Sequence, residues 1–180
     1  MKLIVLDRDG VINFDSAQFI KSPAEWKAIP GSLEAIARLH QAGYRIVVAT
    51  NQSGIGRGLF DMDTLNAMHE KMHKEVNAVG GHIDAIFYCP HTSEMQCDCR
   101  KPKPGMFRRI ATCLNADMKG VATVGDSLRD LQAGAAVGCR PMLVLTGKGE
   151  KTFAEGNLPE GTQVFADLAA CVDYLLQAEE

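Results

Sequence analysis

The stretch LIVLDRDGV, residues 3–11, opens with four apolar residues and continues into two aspartates separated by one arginine. A short unbroken run of apolar, largely branched residues is typical of a β-strand that is buried on both faces. Four more runs have this character, and they are residues 45–50, 83–88, 120–125 and 140–146. The five runs predict the strands of a parallel sheet that is covered by helices on both sides.

Helical periodicity falls between the predicted strands and after the last of them. One apolar stripe runs along a predicted helix that Asp61 or Asp63 would cap, and it consists of Leu65, Met68, Met72, Val76 and Val79. Alternating strands and helices predict a doubly wound α/β sheet of the Rossmann-like type. Residues 10–29 and 147–160 are predicted to be loops, and residues 1–180 are predicted to form a single domain.

Composition excludes several classes of function. The 180 residues are 46% hydrophobic and 23% charged, as in ordinary globular proteins. A net charge of −3 provides no basic surface for nucleic acid or for an acidic membrane. The chain starts MKLIVLDRDG and contains no apolar run near the roughly 18 residues of a membrane span. We therefore expect a cytoplasmic protein that binds neither nucleic acid nor membrane.

Polar residues follow the predicted strands, where the ligands of parallel sheets bind. Asp7 and Asp9 follow the first strand, Thr50 ends the second, and Asp126 follows the fourth. Two nearby aspartates could form only a turn, but three carboxylates at one sheet edge would repel each other unless a cation lies among them. Oxygen ligands without histidine suit Mg²⁺. The sequence therefore predicts a magnesium site at this edge.

Two further stretches predict an anion next to that metal. Gly54, Gly56 and Gly58 are expected to leave backbone amides open to an anion, and the stretch RKPKPG, residues 100–105, adds cations. Carboxylates, Mg²⁺, free amides and a lysine together provide what phosphoryl transfer needs.

A dense cluster of metal-ligand residues lies within eleven positions, and its members are Cys89, His91, Cys97 and Cys99. A reducing compartment disfavours disulfides, so such a cluster is expected to bind metal or to be catalytic. Four ligands with no open position favour a structural Zn²⁺ site. The alternatives are a cysteine nucleophile with His91 as its base, and a redox centre.

The other thiols and one histidine pair are expected to have no part in chemistry. Cys113, Cys139 and Cys171 lie in apolar surroundings and are predicted to be core residues. His69 and His73 are four residues apart on a predicted helix, a spacing that can bind zinc. No HExxH motif accompanies them, and the intervening EKM fits an exposed helix face, so we do not predict a metal site there.

Four stretches resemble, in order and spacing, the four motifs of the haloacid dehalogenase superfamily of phosphohydrolases. They are DRDGV (7–11), TNQSGIGRG (50–58), CRKPKPG (99–105) and VGDSLRD (124–130). The fuller pattern, with its CPH…CxC insertion and no inserted cap domain, resembles the heptose-1,7-bisphosphate 7-phosphatase family. The resemblance covers roughly residues 3 to 146.

That resemblance implies a capless α/β domain with a small zinc-binding loop. It also implies a Mg²⁺-dependent phosphatase that removes the 7-phosphate of a heptose bisphosphate, in the biosynthesis of nucleotide-activated heptose for lipopolysaccharide. The related histidinol-phosphate phosphatases provide the alternative substrate. A further alternative, of another class, is a zinc-stabilised binding module that has lost catalysis. We expect a monomer, since an uncapped site needs no partner.

The resemblance also implies the catalytic roles. Asp7 resembles the nucleophile that becomes an aspartyl phosphate, and Asp9 resembles the general acid that later activates water. Thr50 and Lys101 match the groups that hold the transferring phosphoryl oxygens, with Lys103 as the competing lysine. The Mg²⁺ ligands implied are Asp7, the main-chain carbonyl of Asp9, and Asp126.

The remaining assignments concern the rest of the substrate. Arg100 matches a residue that recognises the second phosphate, which a planar guanidinium can bind through two N–H groups. The residues expected to touch the sugar are Asp15, Ser16, Gln18, Asn51, Gln52 and Ser53. Trp26 could pack over the sugar or serve only the fold. Asp130 could lie behind the catalytic residues or be an ordinary helix residue.

Overall fold

The computed structural model describes residues 1–179, which form a six-stranded sheet flanked by helices. The strands are β1 (Leu3–Leu6), β2 (Arg45–Asn51), β3 (Ala85–Cys89), β4 (Ala122–Gly125), β5 (Arg140–Val144) and β6 (Gln163–Phe165). The helices are α1 (Ser32–Gln41), α2 (Ser53–Gly56), α3 (Met62–Ala78), α4 (Gly105–Leu114), α5 (Leu128–Ala135), α6 (Gly149–Glu155) and α7 (Leu168–Gln177). None of the helices within these residues combines the length and the apolar character needed to cross a membrane.

All strand pairs are parallel, and the strand order is β3-β2-β1-β4-β5-β6. The five predicted strands are confirmed. Strand β1 lies between β2 and β4, so the chain builds the sheet outward in both directions from β1. The crevice between the carboxyl ends of β1 and β4 is therefore the point at which such a sheet binds its ligands.

Two apolar cores cover the two faces of the sheet. In β1, Ile4 and Leu6 contribute to one core while Leu3 and Val5 contribute to the other, because successive side chains of a strand point to opposite faces. The first core takes its helical residues from α1, α3 and α7, and the second takes them from α4 and α5. Helices on both faces confirm the doubly wound fold.

The prediction of a loop over residues 147–160 is wrong, because helix α6 lies within it. The buried hydroxyl of Thr152 in α6 donates a hydrogen bond to the carbonyl oxygen of Asp126 at 2.7 Å. This contact joins residues far apart in sequence, and a glycine- and lysine-rich stretch gives no local sign of it. Strand β6 was also missed, since it has only three residues at the sheet edge.

Residues 10–29 form the predicted loop, which includes a 3₁₀ turn at Pro23–Glu25. Trp26 in this loop is completely buried. Its carbonyl oxygen accepts a hydrogen bond from Lys71 Nζ at 2.6 Å, which ties the loop to α3. Of the two roles considered for Trp26, the structure supports packing, since its side chain belongs to the first core.

Helix α3 begins as predicted, with the Asp61 side chain accepting a hydrogen bond from the Thr64 N–H at 2.9 Å. Its apolar stripe ends at Val76. The prediction that Val79 continues the stripe is wrong, because the helix stops at Ala78 and Val79 is exposed. The expectation of an exposed face at His69 is also wrong, since this side chain is only 8% exposed.

The three scattered cysteines divide into two groups. Cys139 and Cys171 are buried, which confirms the prediction that they are core residues. The same prediction is wrong for Cys113, which is exposed. Helix α4 buries Met106, Phe107 and Ile110, and Cys113 lies outside that buried face.

Candidate active site

A cavity of about 230 Å³ opens at the carboxyl ends of β1, β2 and β4. Every residue that the sequence assigned to catalysis, magnesium or substrate lines this cavity, with one exception. The exception is Gln18, which is exposed and whose backbone N–H donates to the Ser16 hydroxyl at 3.1 Å. The fold thus brings together residues that lie up to 119 positions apart in the chain, from Asp7 to Asp126.

Lys101 lies buried between two carboxylates. Its Nζ is 3.1 Å from Asp7 Oδ1 and 2.7 Å from Asp130 Oδ1, and it also donates a hydrogen bond to the carbonyl oxygen of Ala49 at 2.7 Å. Burial acts to lower the pKa of Lys101, but the two carboxylates outweigh it and raise that pKa. The competing Lys103 is exposed and donates to the carbonyl oxygen of Cys97, so it does not reach the cavity.

Three carboxylates crowd together next to this lysine. Oxygens of Asp7, Asp126 and Asp130 all lie within 4.8 Å of one another. Burial raises the pKa of Asp7 and, with the negative charge of Asp130 adding to it, raises the pKa of Asp126 to about 7. Burial acts in the same direction on Asp130, but Lys101 outweighs it and lowers the pKa of Asp130. One lysine for three carboxylates leaves negative charge that a divalent cation would neutralise.

Gly10 is what allows Asp126 to lie so close to the first motif. Its φ of +85° is one that L side chains rarely adopt, and a Cβ on Gly10 would collide with the Asp126 carboxylate. The two loops at the ends of β1 and β4 are thereby packed against each other. A glycine after Asp9 is therefore required by geometry as well as by the turn.

Three side chains donate hydrogen bonds to the Asp9 carboxylate, and they are those of Arg8, Asn13 and Gln52. Its Oδ1 accepts hydrogen bonds from Arg8 Nε and from Asn13 Nδ2, each at 2.9 Å. Its Oδ2 accepts from Gln52 Nε2 at 3.2 Å, and the same amide donates to the Thr50 hydroxyl at 2.9 Å. The sequence did not predict the roles of Arg8 and Asn13. Both are completely buried, and a single arginine or asparagine in a sequence carries no local sign of burial.

Asn51 was predicted to touch the sugar, and in the structure its side chain also forms two hydrogen bonds with the backbone of Lys101. Its Oδ1 accepts the backbone N–H of Lys101 at 3.0 Å, and its Nδ2 donates to the carbonyl oxygen of Lys101 at 3.1 Å. Asn51 thereby fixes the backbone from which the lysine reaches the carboxylates. Elsewhere in the cavity lining, Asp15 pairs with Lys148 Nζ at 3.5 Å, and the Lys148 N–H donates to Asp126 Oδ2 at 2.9 Å.

Three arginines line the cavity together, and they are Arg57, Arg100 and Arg129. Half-buried Arg100 donates through Nη1 to the carbonyl oxygen of His91 at 3.2 Å. Burial, followed by the positive charge of Arg129 and then that of Arg57, lowers the pKa of Arg100. Arg57 and Arg129 were missed, although both lie inside the motifs, because only the fold places them beside Arg100. Such a concentration of positive charge suits an anionic ligand.

The prediction that the glycines after Thr50 leave amides open to an anion is wrong for two of them. The Gly56 N–H donates to the carbonyl oxygen of Pro90 at 2.9 Å, and the Gly58 N–H donates to that of Ile55 at 3.0 Å. A Cβ on Gly56 would lie 2.6 Å from the Pro90 oxygen. Gly56 therefore permits close packing against the loop after β3.

The cysteine and histidine side chains of that loop meet at one point. Cys89 Sγ lies 3.6 Å from Cys97 Sγ and 3.1 Å from Cys99 Sγ, and His91 Nδ1 lies 3.5 and 3.4 Å from the sulfurs of Cys89 and Cys99. No two of the described cysteines form a disulfide. A tetrahedral ion with bonds of about 2.0–2.3 Å separates its ligands by roughly 3.5 Å, so these residues fit zinc.

The geometry therefore joins a carboxylate cluster suited to a divalent cation with a buried lysine and an arginine-lined wall suited to an anion. A HAD-hydrolase-like family model matches residues 98–171 of the chain. The D-glycero-beta-D-manno-heptose-1,7-bisphosphate 7-phosphatase of Bordetella bronchiseptica is 62% identical over 177 residues, covering 98% of this chain and 99% of that relative. A protein of the same name from Pseudomonas aeruginosa is 54% identical and covers 97% of this chain and 98% of its own length.

Among solved structures, the D,D-heptose 1,7-bisphosphate phosphatase of B. bronchiseptica superimposes with a TM-score of 0.98. It is 62% identical in sequence, and the match covers 99% of each chain. That structure is a complex with magnesium and phosphate. Its ligands have the same chemistry as the cation and the anion that the cavity of this chain suits.

Proposed function

We infer the function from one premise: the chain belongs to the D-glycero-beta-D-manno-heptose-1,7-bisphosphate 7-phosphatase family of HAD-like hydrolases. We propose that it is a Mg²⁺-dependent phosphatase that removes the 7-phosphate of D-glycero-β-D-manno-heptose 1,7-bisphosphate. The β anomer follows from the name of the relatives. The observation that carries the proposal is that Asp7, Asp9, Thr50, Lys101 and Asp126 line one cavity.

In the first chemical step, an Asp7 oxygen attacks the phosphorus of the 7-phosphate. The bond between phosphorus and the sugar oxygen breaks, and an aspartyl phosphate forms on Asp7. Lys101 Nζ, 3.1 Å from Asp7 Oδ1, is close enough to stabilise the negative charge of the transferring group. The Thr50 hydroxyl binds another phosphoryl oxygen.

Asp9 serves both halves of the reaction. Its Oδ2, on the side of Gln52, gives a proton to the departing sugar oxygen. It then takes a proton from the water that attacks the aspartyl phosphate, which releases inorganic phosphate and restores Asp7. One carboxyl group thus acts first as acid and then as base.

Mg²⁺ would be held by Asp7, Asp126 and the main-chain carbonyl of Asp9. When bound, it neutralises the carboxylate cluster and the phosphoryl oxygens. Two further contacts fix the side chains around this metal site. Asp130 pairs with Lys101, and the Lys148 N–H donates to Asp126. We assign Asp130 to the positioning of Lys101.

The second phosphate of the substrate is assigned to the arginine wall of the cavity. Arg100 would bind it, and the positive charges of Arg57 and Arg129 would strengthen that contact. The residues that would contact the sugar are Asp15, Ser16, Gln52 and Ser53. Histidinol phosphate is not favoured, since its amine would meet the same positive charges and the relatives are named for the heptose bisphosphate.

The cluster of Cys89, His91, Cys97 and Cys99 would hold a structural Zn²⁺ with no open position. Burial acts to raise the pKa of the Cys97 thiol, but neighbouring hydrogen bonds, including one from the Arg100 backbone, lower that pKa to about 6. A thiolate at neutral pH suits a metal ligand. Arg100 directly follows the last cysteine, so the metal would fix where this guanidinium lies.

We further propose that the protein is a single-domain monomer that acts in the cytoplasm. A reducing compartment would keep the thiols of the zinc cluster free for the metal. Sedimentation at micromolar concentration tests the assembly, and a dimer would contradict it.

The proposal is tested by ³¹P NMR of heptose 1,7-bisphosphate incubated with enzyme and Mg²⁺. We expect the phosphorus signal at C7 to be replaced by inorganic phosphate while the signal at C1 remains. Asp7→Asn should release no phosphate, whereas Asp63→Asn, a matched change on an exposed residue of α3, should behave as wild type. Loss of the C1 phosphate instead would contradict the proposal, and so would phosphate release by Asp7→Asn.

A further inference from the structure

Arg8, between the two aspartates of the first motif, is completely buried, and its side chain connects Asp9 with helix α3. Its Nε donates to Asp9 Oδ1 at 2.9 Å, and its Nη2 lies 2.8 Å from the same oxygen without forming a hydrogen bond. Its Nη1 lies 3.2 Å from His69 Nε2, and His69 belongs to α3. A contiguous path therefore runs from α3 through His69 and Arg8 to Asp9.

The direction of the hydrogen bond between these two side chains is fixed by their chemistry. A guanidinium has only donors, so His69 Nε2 must accept, and the ring proton of His69 must lie on Nδ1. Burial, with the adjacent charge of Arg8 adding to it, lowers the pKa of His69 to about 3. The imidazole is therefore neutral at neutral pH and keeps the lone pair that Nη1 needs.

The two oxygens of Asp9 are thereby made unequal. Oδ1 is occupied by the N–H groups of Arg8 and Asn13, whereas Oδ2 has only the amide of Gln52. A proton on Oδ1 would face donors and find no acceptor. The acidic proton of Asp9 therefore belongs on Oδ2.

We propose that His69 is a positioning residue for the reaction: it fixes the Arg8 guanidinium that holds Asp9 Oδ1, and so presents Oδ2 to the leaving group. The inference rests on the proposed role of Asp9 as general acid. His69 touches neither substrate nor metal in this scheme. Its effect reaches the reaction only through the orientation of Arg8 and Asp9.

A positioning role and a merely structural role differ in their dependence on the leaving group. When the sugar leaves, the phosphorus–oxygen bond breaks and the proton of Asp9 Oδ2 moves to the sugar oxygen. When 4-nitrophenol leaves, the oxygen is stable as an anion and needs no proton. A displaced Asp9 therefore penalises the sugar phosphate far more than the aryl phosphate.

The experiment compares kcat/KM for heptose 1,7-bisphosphate and for 4-nitrophenyl phosphate, because this parameter reports the steps up to release of the first product. His69→Leu removes the acceptor, and His69→Gln supplies a carbonyl oxygen in its place. His73→Leu, one helical turn away on α3, is the matched control, and Asp9→Asn is the benchmark. Thermal melting followed by circular dichroism checks that each variant is folded.

We expect His69→Leu to lower kcat/KM for the sugar bisphosphate by about tenfold or more, a part of what general acid catalysis contributes, and to change the aryl phosphate little. We expect His69→Gln to restore the sugar reaction and His73→Leu to leave both reactions unchanged. Because a partly unfolded enzyme loses both activities in proportion, the ratio of the two substrates is independent of folding.

Three results would overturn the inference while leaving the function intact, provided that Asp9→Asn shows the selective loss. They are an equal loss for both substrates in His69→Leu, no loss in His69→Leu, and a loss in His69→Gln as large as in His69→Leu. If Asp9→Asn itself affects both substrates equally, then the assignment of Asp9 as the acid is wrong, and the inference falls with it.

Discussion

At the scale of single residues, Lys101 provides the positive charge that allows Asp7 and Asp130 to be buried beside each other. The three charges are mutually dependent, because carboxylates removed from water are costly without a partner. The same lysine is assigned to the transferring phosphoryl group. Stability and catalysis therefore meet in one side chain, and a substitution there should affect both.

We predict that Lys101→Met lowers the free energy of unfolding by about 3–5 kcal/mol, the usual effect of removing one partner from a buried ion pair. Thermal unfolding in buffer without Mg²⁺ measures this, since Mg²⁺ would partly replace the lysine charge. Phosphatase activity should fall by at least about a hundredfold. Lys103→Met removes an exposed lysine near the same turn and should change neither quantity much. Equal behaviour of the two variants would contradict the assignment.

The raised pKa of Asp126 predicts how the affinity for Mg²⁺ depends on pH. Its pKa in the folded, metal-free protein is about 7, raised first by burial and then by Asp130, so protons compete with Mg²⁺ below this pH. The apparent Kd for Mg²⁺ should be weaker at pH 6 than at pH 8, by up to about tenfold, as calorimetric titration would show. A Kd that is unchanged between these pH values would contradict the raised pKa.

The same raised pKa predicts that the metal-free protein becomes less stable as the pH rises. The folded state favours the protonated carboxyl, so this contribution is fully present below the unfolded pKa near 4 and is lost as pH rises through about 7. In buffer without Mg²⁺, the melting temperature of wild type should therefore fall from pH 5 to pH 8 relative to that of Asp126→Asn. A parallel pH dependence of the two proteins would contradict this.

At the scale of elements, the loop between β3 and α4 depends on its metal. None of residues 90–98 is buried, so zinc rather than packing must order them. We predict that Cys97→Ser loses zinc, becomes sensitive to protease in this loop, and raises KM for the heptose bisphosphate roughly tenfold to a hundredfold, because Arg100 is no longer held.

Cys113→Ser changes an exposed thiol and serves as the control for the loop. It should keep its zinc, measured by atomic absorption, and its KM. Loss of activity in Cys97→Ser with the zinc still bound would favour the redox alternative. Unchanged KM after complete zinc loss would show that the loop does not position Arg100.

How far the sequence predicts the structure differs from element to element. Strand β1 and its neighbours were predicted because buried parallel strands are continuous apolar runs, which a sequence displays locally. Helix α6 was not, because its burial comes from Thr152 meeting the Asp126 carbonyl after folding. The motifs likewise predicted that Asp7 and Lys101 belong to one site, and both line the cavity, whereas His69 was predicted to lie on an exposed face. Its contact with Arg8 joins residues 61 positions apart in the sequence, and no local pattern shows such a contact.

At the scale of the whole molecule, the cavity is a joint product of several connections in the sheet. Arg57 comes from the segment after β2, Arg100 from the loop after β3, and Arg129 from α5 after β4. Strand order brings these three connections to the same edge, so the arginine wall proposed to bind the second phosphate is assembled from three separate segments of the chain. Specificity should therefore decrease when any one arginine is removed.

We predict that Arg129→Gln lowers kcat/KM for heptose 1,7-bisphosphate by about tenfold to a hundredfold, the effect of losing a charge-assisted contact. The rate with heptose 7-phosphate, which lacks the second phosphate, should change little. Arg108→Gln, on the exposed side of α4, is the control and should affect neither substrate. Equal losses for the two substrates would place Arg129 outside the second phosphate site.

The proposed reaction of this chain is the hydrolysis of D-glycero-β-D-manno-heptose 1,7-bisphosphate. A steady-state comparison of kcat/KM for the β anomer, the α anomer and histidinol phosphate, all with Mg²⁺, tests it most directly. We predict the highest kcat/KM for the β anomer and the lowest for histidinol phosphate. A kcat/KM for histidinol phosphate equal to or above that for the heptose bisphosphate would contradict the claim.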